Sequence, residues 1–190
     1  MKALQDKIQQ EGKVVSSTIL KVDSFMNHQI DVQFMAKIGQ EFARIFENEG
    51  ITKVITIEAS GIAPAMAAAS ALGVPMVFAK KTKATTLDTE VYTREVKSFT
   101  RGTVYDIKVA KSAISADDRI LIIDDFLAYG HAALGLANIV QESGAYLAGV
   151  GIVIEKGFQS GGALLRKNDI RVESLAIIDR MEDGKVFFQD

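Results

Sequence analysis

The sequence predicts an α/β fold: one domain with a central parallel sheet flanked by helices, a small hood from the N-terminal segment, and a flexible loop. Three observations lead there. Ile51-Thr-Lys-Val-Ile-Thr-Ile57, Arg119-Ile-Leu-Ile-Ile123 and Tyr146-Leu-Ala-Gly-Val-Gly-Ile-Val-Ile154 are apolar runs rich in β-branched residues, without the alternation of a half-exposed strand. Stretches with helical spacing of apolar residues separate them, as in a sheet covered on both faces. Glycines and a proline punctuate the joins at the positions helix ends prefer.

Taken in order, residues 2–11 predict a short helix with Leu4 and Ile8 on one face and Gly12 as its stop. Val14–Leu20 alternates weakly, and Lys21–Gln29 has no period and predicts an irregular loop. Asp31 is placed to cap a helix carrying Met35, Ile38, Phe42, Ile45 and Phe46 that ends near Gly50. After the strand Ile51–Ile57 comes an alanine-rich helix with Pro64 in its first turn and Gly73 at its end, then a strand over Val74–Ala79. From Lys80 to about Lys97 the chain is polar, rich in Thr and Lys, and carries no core pattern; such excursions are usually functional. Weak alternation over Thr100–Val109 suggests a hairpin arm attached to it. The strand Arg119–Ile123 leads through a loop to a helix carrying Leu134, Leu136, Ile139 and Val140. Tyr146–Ile154 and Arg171–Ile178 complete the strands. The expected organisation is a single domain over 1–190, with the hood largely from 1–30 and the flexible loop at about 80–97.

Composition narrows the function. Twenty-two basic against 24 acidic residues leave a net charge of −2, so no global field favours nucleic acid or an anionic membrane as partner. The chain has no cysteine, which excludes disulfides, thiol chemistry and thiolate zinc sites. The N-terminal Met1–Lys7 lacks the apolar run of a signal peptide, and no apolar stretch approaches the roughly 20 residues that span a bilayer. A soluble cytoplasmic protein is expected.

Ligands of open parallel sheets bind beyond the carboxyl ends of the strands. Three such ends are chemically unusual: Glu58-Ala-Ser60-Gly61, Asp124-Asp125 with the loop to Ala132, and Glu155-Lys156-Gly157-Phe158. Adjacent carboxylates need an answer to their repulsion, which vicinal sugar hydroxyls, a divalent cation or nearby lysines supply. Ala128-Tyr129-Gly130-His131-Ala132 opens a helix, where free N–H groups and the helix dipole favour phosphate. A ribose 5-phosphate satisfies both halves together.

The run Ile120-Leu-Ile-Ile-Asp-Asp-Phe-Leu-Ala-Tyr-Gly-His-Ala132 resembles the phosphoribosyl-pyrophosphate (PRPP) signature of the type I phosphoribosyltransferases. Beyond it, Leu20–Ile30, Thr56–Pro64, Val153–Gln159 and Arg171–Ala176 resemble the xanthine-using purine members of that family, so the likeness spans nearly the whole chain. The resemblance implies the type I fold and transfer of 5-phosphoribose from PRPP to xanthine, giving xanthosine monophosphate (XMP) and pyrophosphate, in purine salvage. It implies that Ala128, Tyr129, Gly130, His131 and Ala132 take the 5-phosphate, and Asp124 and Asp125 the ribose hydroxyls. Glu58, Ser60 and Gly61 would face pyrophosphate and Mg²⁺, the cofactor, which PRPP itself mainly holds; no protein ligand to it is assigned. Lys80, Lys81 and Lys83 begin a hood over the leaving group, with Lys81 assigned a catalytic part beside Asp124 and Asp125. Leu20, Asn27 and Lys156 would hold the base and Phe158 stack on it: an ammonium suits a 6-oxo edge and opposes adenine's amino group, and an amide suits the 2-oxo group. A homodimer, with no nucleic acid or membrane partner, is also implied.

Two residues depart from the family pattern. Its phosphate loops carry small residues, and its xanthine-specific members tend to have Asn-Gly-Gln where this chain has Tyr129-Gly130-His131. An imidazolium at a helix N-terminus is favourable only with an anion bound, so PRPP affinity is expected to strengthen as pH falls toward about 6. His131→Ala should flatten that profile; profiles identical to the parent's would remove the histidine from phosphate binding. Two alternatives accompany this reading. One is a phosphoribosyltransferase for another base, such as guanine or hypoxanthine, against which only Asn27 and Lys156 speak. The other is a non-catalytic PRPP-sensing regulator on the same fold; such repressors carry an extra N-terminal DNA-binding domain, and this chain reaches its sheet by about Ile51.

Overall fold

The computed structural model describes residues 1–82, 90–98 and 103–189. Its first half runs α1 (Lys2–Glu11), β1 (Lys13–Ser16), β2 (Ile19–Lys21), α2 (Val32–Ile45), β3 (Lys53–Ile57), α3 (Ile62–Leu72) and β4 (Met76–Thr82). The second half runs β5 (Val91–Ser98), β6 (Thr103–Ala110), β7 (Arg119–Leu127), α4 (His131–Glu142), β8 (Tyr146–Lys156), α5 (Gly161–Lys167), β9 (Val172–Glu182) and β10 (Lys185–Phe188).

One sheet takes eight strands in the order β10-β9-β8-β7-β3-β4-β6-β5. Its middle, from β9 to β4, is parallel throughout, as the unbroken apolar runs require. Ile120 and Ile122 of β7 pack into one layer with Leu136, Ile139 and Val140 of α4, while Leu121 and Ile123 pack into the other with α1, α2 and α3. The helix caps are the expected ones. Asp31 accepts a hydrogen bond from the Phe34 N–H at 3.0 Å, and Gly73 ends α3 at φ +70°. Close approach of α2 to α3 uses Gly39, where a Cβ would collide with the Ala67 backbone.

Several boundaries differ from expectation, each for a reason visible in the packing. β7 does not stop at Ile123 but runs on through Asp124 and Asp125 to Leu127, because Asp124, Phe126 and Leu127 still pair with β8. The polar excursion begins and ends in strand: Lys80–Thr82 finish β4 and pair with β6, and Val91–Ser98 form β5 of a long hairpin. That hairpin looked coreless because its buried residues are few; Val96 and Ile107 fold onto α4 at Gly135, where a Cβ would lie 3.0 and 3.2 Å from them. Lys83, and the rest of 83–89, lie outside the described residues. Val14–Leu20 is a small separate hairpin, β1 against β2. The strand expected over Arg171–Ile178 continues to Glu182 and returns as β10 through Asp183-Gly184, both at positive φ (+50° and +75°), a two-residue hairpin turn.

Candidate active site

β3, β7 and β8 are neighbours running in the same direction, so Glu58, Asp124-Asp125 and Lys156 emerge side by side at one edge of the sheet. Topology alone brings together the three unusual strand ends. On the β3 side, Glu58 accepts a hydrogen bond from the Lys81 N–H at 2.7 Å, which ties the turn after β3 to the end of β4. Gly61 then lets Asp124 approach: a Cβ there would stand 2.7 Å from Asp124 Oδ1 and collide with Thr56 Oγ1. Thr56 Oγ1 is itself buried and has no hydrogen-bond partner.

Burial pushes the Asp124 carboxyl well above the usual carboxylate range, the neighbouring Asp125 charge adds to this, and the Lys81 ammonium pulls the other way. Lys81 Nζ lies 5.5 Å from the centre of the Tyr105 ring on β6. The phenol of Tyr105 is in turn raised by burial and then by the Asp124 charge. Lys81 and Asp124 therefore share one locality.

Beyond β7, Gly130 takes φ +82° and starts α4, so His131 is the first residue of the helix. A cleft of about 140 Å³ opens there, lined by Asp124, Phe126 and the 128–133 backbone on one side and by Val96, Lys97 and Tyr105 of the hairpin on the other. Ala128, Tyr129, Gly130, His131 and Ala132 all line it. Sequence reasoning missed the opposite wall. No local signal marks Tyr105 or Lys97, because only the hairpin's fold over α4 brings them here.

On the β8 side, Lys156 Nζ donates to the Thr18 carbonyl of the β1–β2 turn at 2.7 Å and lies 5.6 Å from the Phe126 ring centre. Burial draws its ammonium below the usual lysine value, with the Asp125 charge opposing. Leu20, on β2, is buried at 7% exposure, and Phe158 follows β8 with 38% of its surface exposed. Asn27 sits apart from Lys156: its amide donates to Asp23 at 3.3 Å, and it lines a groove with Ser60. The aromatic face found against Lys156 belongs to Phe126.

A model of the phosphoribosyl transferase domain matches residues 27–184, a span that includes all three strand ends. The chain belongs to the phosphoribosyltransferase family. Curated relatives extend the match to the whole length. The xanthine phosphoribosyltransferase of Brevibacillus brevis is 56% identical over 188 residues, covering 99% of this chain and 96% of that protein. The xanthine phosphoribosyltransferase of Ruminiclostridium cellulolyticum is 53% identical over 190 residues, covering 100% of both. Among solved structures, the adenine phosphoribosyltransferase of Thermoanaerobacter pseudethanolicus superposes with a TM-score of 0.71 at 19% identity, covering 91% of this chain and 98% of that one. The adenine enzyme of Trypanosoma brucei, solved with AMP, pyrophosphate and ribose-5-phosphate, gives a TM-score of 0.75 at 18% identity over 96% of this chain and 83% of that one. At such identities the structural likeness establishes the fold. The phosphoribosyltransferase sheet thus carries, in this chain, a helix-opening loop walled by its own hairpin. No helix among the described residues is long and apolar enough to cross a membrane.

Proposed function

We propose that this chain transfers the 5-phosphoribosyl group of PRPP to xanthine, releasing pyrophosphate and forming XMP, as a step of purine salvage. The observation that carries the proposal is the meeting of Glu58, a carboxylate pair with its helix-opening loop, and a half-buried lysine on three adjacent strand ends. The names of the full-length relatives supply the base.

In this reading the 5-phosphate lies on the backbone of 128–132 at the start of α4, and the ribose hydroxyls face Asp124 and Asp125. Lys81 approaches the pyrophosphate from the end of β4, with Glu58, Ser60 and Gly61 beneath it. The bond from the anomeric carbon to pyrophosphate breaks as a purine nitrogen, N9, bonds to that carbon; the nitrogen's proton passes to solvent. Catalysis comes from positioning, from stabilising charge on the leaving group, and from excluding water that would otherwise consume PRPP. Mg²⁺ would be held mainly by PRPP, with the oxygen donors of Glu58 and Ser60 beside Gly61 facing it, a set that suits a hard cation; it would neutralise the departing pyrophosphate.

Lys156 offers a donor to the 6-oxo edge of the base from below the β1–β2 hood, while Leu20 and Phe158 supply apolar surface. Asn27 is kept as a second base contact, its amide released from Asp23 to reach the base. Lys156→Met should raise the KM for xanthine by about 10–50-fold, the cost of a charged hydrogen bond, while the KM for PRPP stays within about twofold. Steady-state kinetics with each substrate varied in turn checks this.

A homodimer in the cytoplasm completes the proposal. Its support is an apolar groove of about 690 Å³ along α2 and α3, where Val32 and Met66 are 70% and 61% exposed and Ser60 reaches the lining. The cysteine-free composition suits a reducing compartment. The test of function is a PRPP- and Mg²⁺-dependent assay across xanthine, guanine, hypoxanthine, adenine and orotate. Xanthine is expected to have the highest kcat/KM. Preference for adenine would overturn the role of Lys156, and turnover of none would overturn the enzyme.

A further inference from the structure

Glu155 is a buried acidic side chain of the described core, at 5% exposure, and the chemistry proposed above makes no use of it. A carboxylate taken out of water costs several kcal/mol unless partners answer it. Here they do. Arg166 of α5 donates from both terminal nitrogens, at 3.2 and 3.3 Å, and Ser174 of β9 donates its hydroxyl at 2.5 Å. Gly162 makes room, since a Cβ there would collide with Glu155 Oε1. One carboxylate thereby fastens β8, α5 and β9 together.

Both ends of this fastening reach the site. Glu155 directly precedes Lys156 on β8, and successive strand residues face opposite ways, so fixing one side chain fixes the aim of the other. At the far end, the first residue of α5, Gly161, donates its N–H to the Ala128 carbonyl at 2.9 Å. Gly161 also packs against Gly130 so closely that a Cβ on Gly130 would stand 3.0 Å from the Gly161 Cα and carbonyl oxygen. α5 is the backstop of the phosphate loop, and at seven residues with two leading glycines it has little helical stability of its own.

We propose that Glu155 is a positioning residue: through Arg166 it holds α5 against the phosphate loop and, through β8, aims Lys156, so that the 5-phosphate and base subsites are set by one buried ion pair. The inference rests on the proposed function for the identity of the two subsites. A role in stability alone is the competing account, and buried ion pairs are often nearly neutral for stability.

Glu155→Gln keeps the shape and the Ser174 contact but removes the charge that Arg166 answers; Arg166→Met removes the other partner and leaves the buried carboxylate to Ser174, so it is expected to be the less stable of the two. Either variant should raise the KM for PRPP and for xanthine by about 5–20-fold with a smaller change in kcat, and the double variant should be no worse than the worse single one. Hydrogen exchange of the 128–132 amides, measured without ligand, should quicken in both variants. Unchanged KM values alongside a lowered melting temperature would overturn the proposal, as would a double variant whose losses multiply. Should the parent show no PRPP-dependent turnover, the functional reading fails, while unchanged exchange at 128–132 in Glu155→Gln would still refute the latch on its own.

Discussion

Asp124→Asn is expected to make the protein more stable and nearly inactive. The folded chain holds a proton on Asp124 more tightly than the unfolded chain does, because burial and the Asp125 charge raise its carboxyl. Between the usual carboxylate range and that raised value the folded state binds more protons, so stability falls as pH rises through the window and stays low at neutral pH. An amide of the same shape removes the charge and its cost. A higher Tm than the parent's at neutral pH is therefore expected. Asp124's own share of the pH dependence, a loss of stability as pH rises from the usual carboxylate range, should disappear in the same variant. In the proposed reaction, replacing an acceptor oxygen of the carboxyl that faces the ribose hydroxyls with an amide donor should cut kcat/KM for PRPP by about 10²–10³-fold, as when a single transition-state contact is removed. Thermal melts over pH and initial rates test both halves. A variant less stable than the parent at neutral pH would contradict the burial described for Asp124.

Gly130→Ala should be the second severe change, for a steric reason. Gly130 sits at φ +82°, where a side chain costs about 1–2 kcal/mol. Its new Cβ would also press at 3.0 Å on Gly161, behind the phosphate loop. Relief requires the loop to shift towards the space the 5-phosphate needs, so the KM for PRPP is expected to rise about 10²-fold, since small misplacements at a site are costly. Gly73→Ala is the control. Gly73 has a similar φ of +70°, with nothing within 4 Å of the added Cβ, and lies at the end of α3. It should lose comparable stability and leave the KM for PRPP unchanged. Equal KM effects from the two variants would mean that backbone strain, not the Gly130–Gly161 contact, sets the loop.

Much of the fold is legible in the sequence because parallel strands buried on both faces declare themselves by composition. Ile120–Ile123 has no exposed face to alternate with, and Asp31 and Gly73 mark helix ends through local chemistry that needs no tertiary partner. Legibility fails where the determining contact is distant. Asp124 and Asp125 end the apolar run of β7, yet pairing with β8 carries the strand past them. The hairpin β5–β6 hides its core in Val96, Ile107 and Val109, and its burial depends on α4. Tyr105 and Lys97 reach the phosphate cleft only through that packing, and Glu155 gains its meaning from Arg166 and Ser174 on other elements. β10 is the one local signal overlooked: Asp183-Gly184 between strand-like runs is a strong hairpin sequence. Of the proposed site, the helix-opening loop and carboxylate pair are contiguous and therefore readable. The proposed base subsite is assembled from distant parts of the chain, with Thr18, Phe126 and Lys156 meeting only in three dimensions.

The central claim is a group transfer from PRPP to xanthine, and product stoichiometry tests it most directly. Purified protein with Mg²⁺, PRPP and isotopically labelled xanthine, analysed by mass spectrometry and a pyrophosphate assay, should yield one labelled XMP and one pyrophosphate for each PRPP consumed. PRPP that stays intact in the presence of xanthine, or pyrophosphate released without labelled nucleotide, would contradict the account.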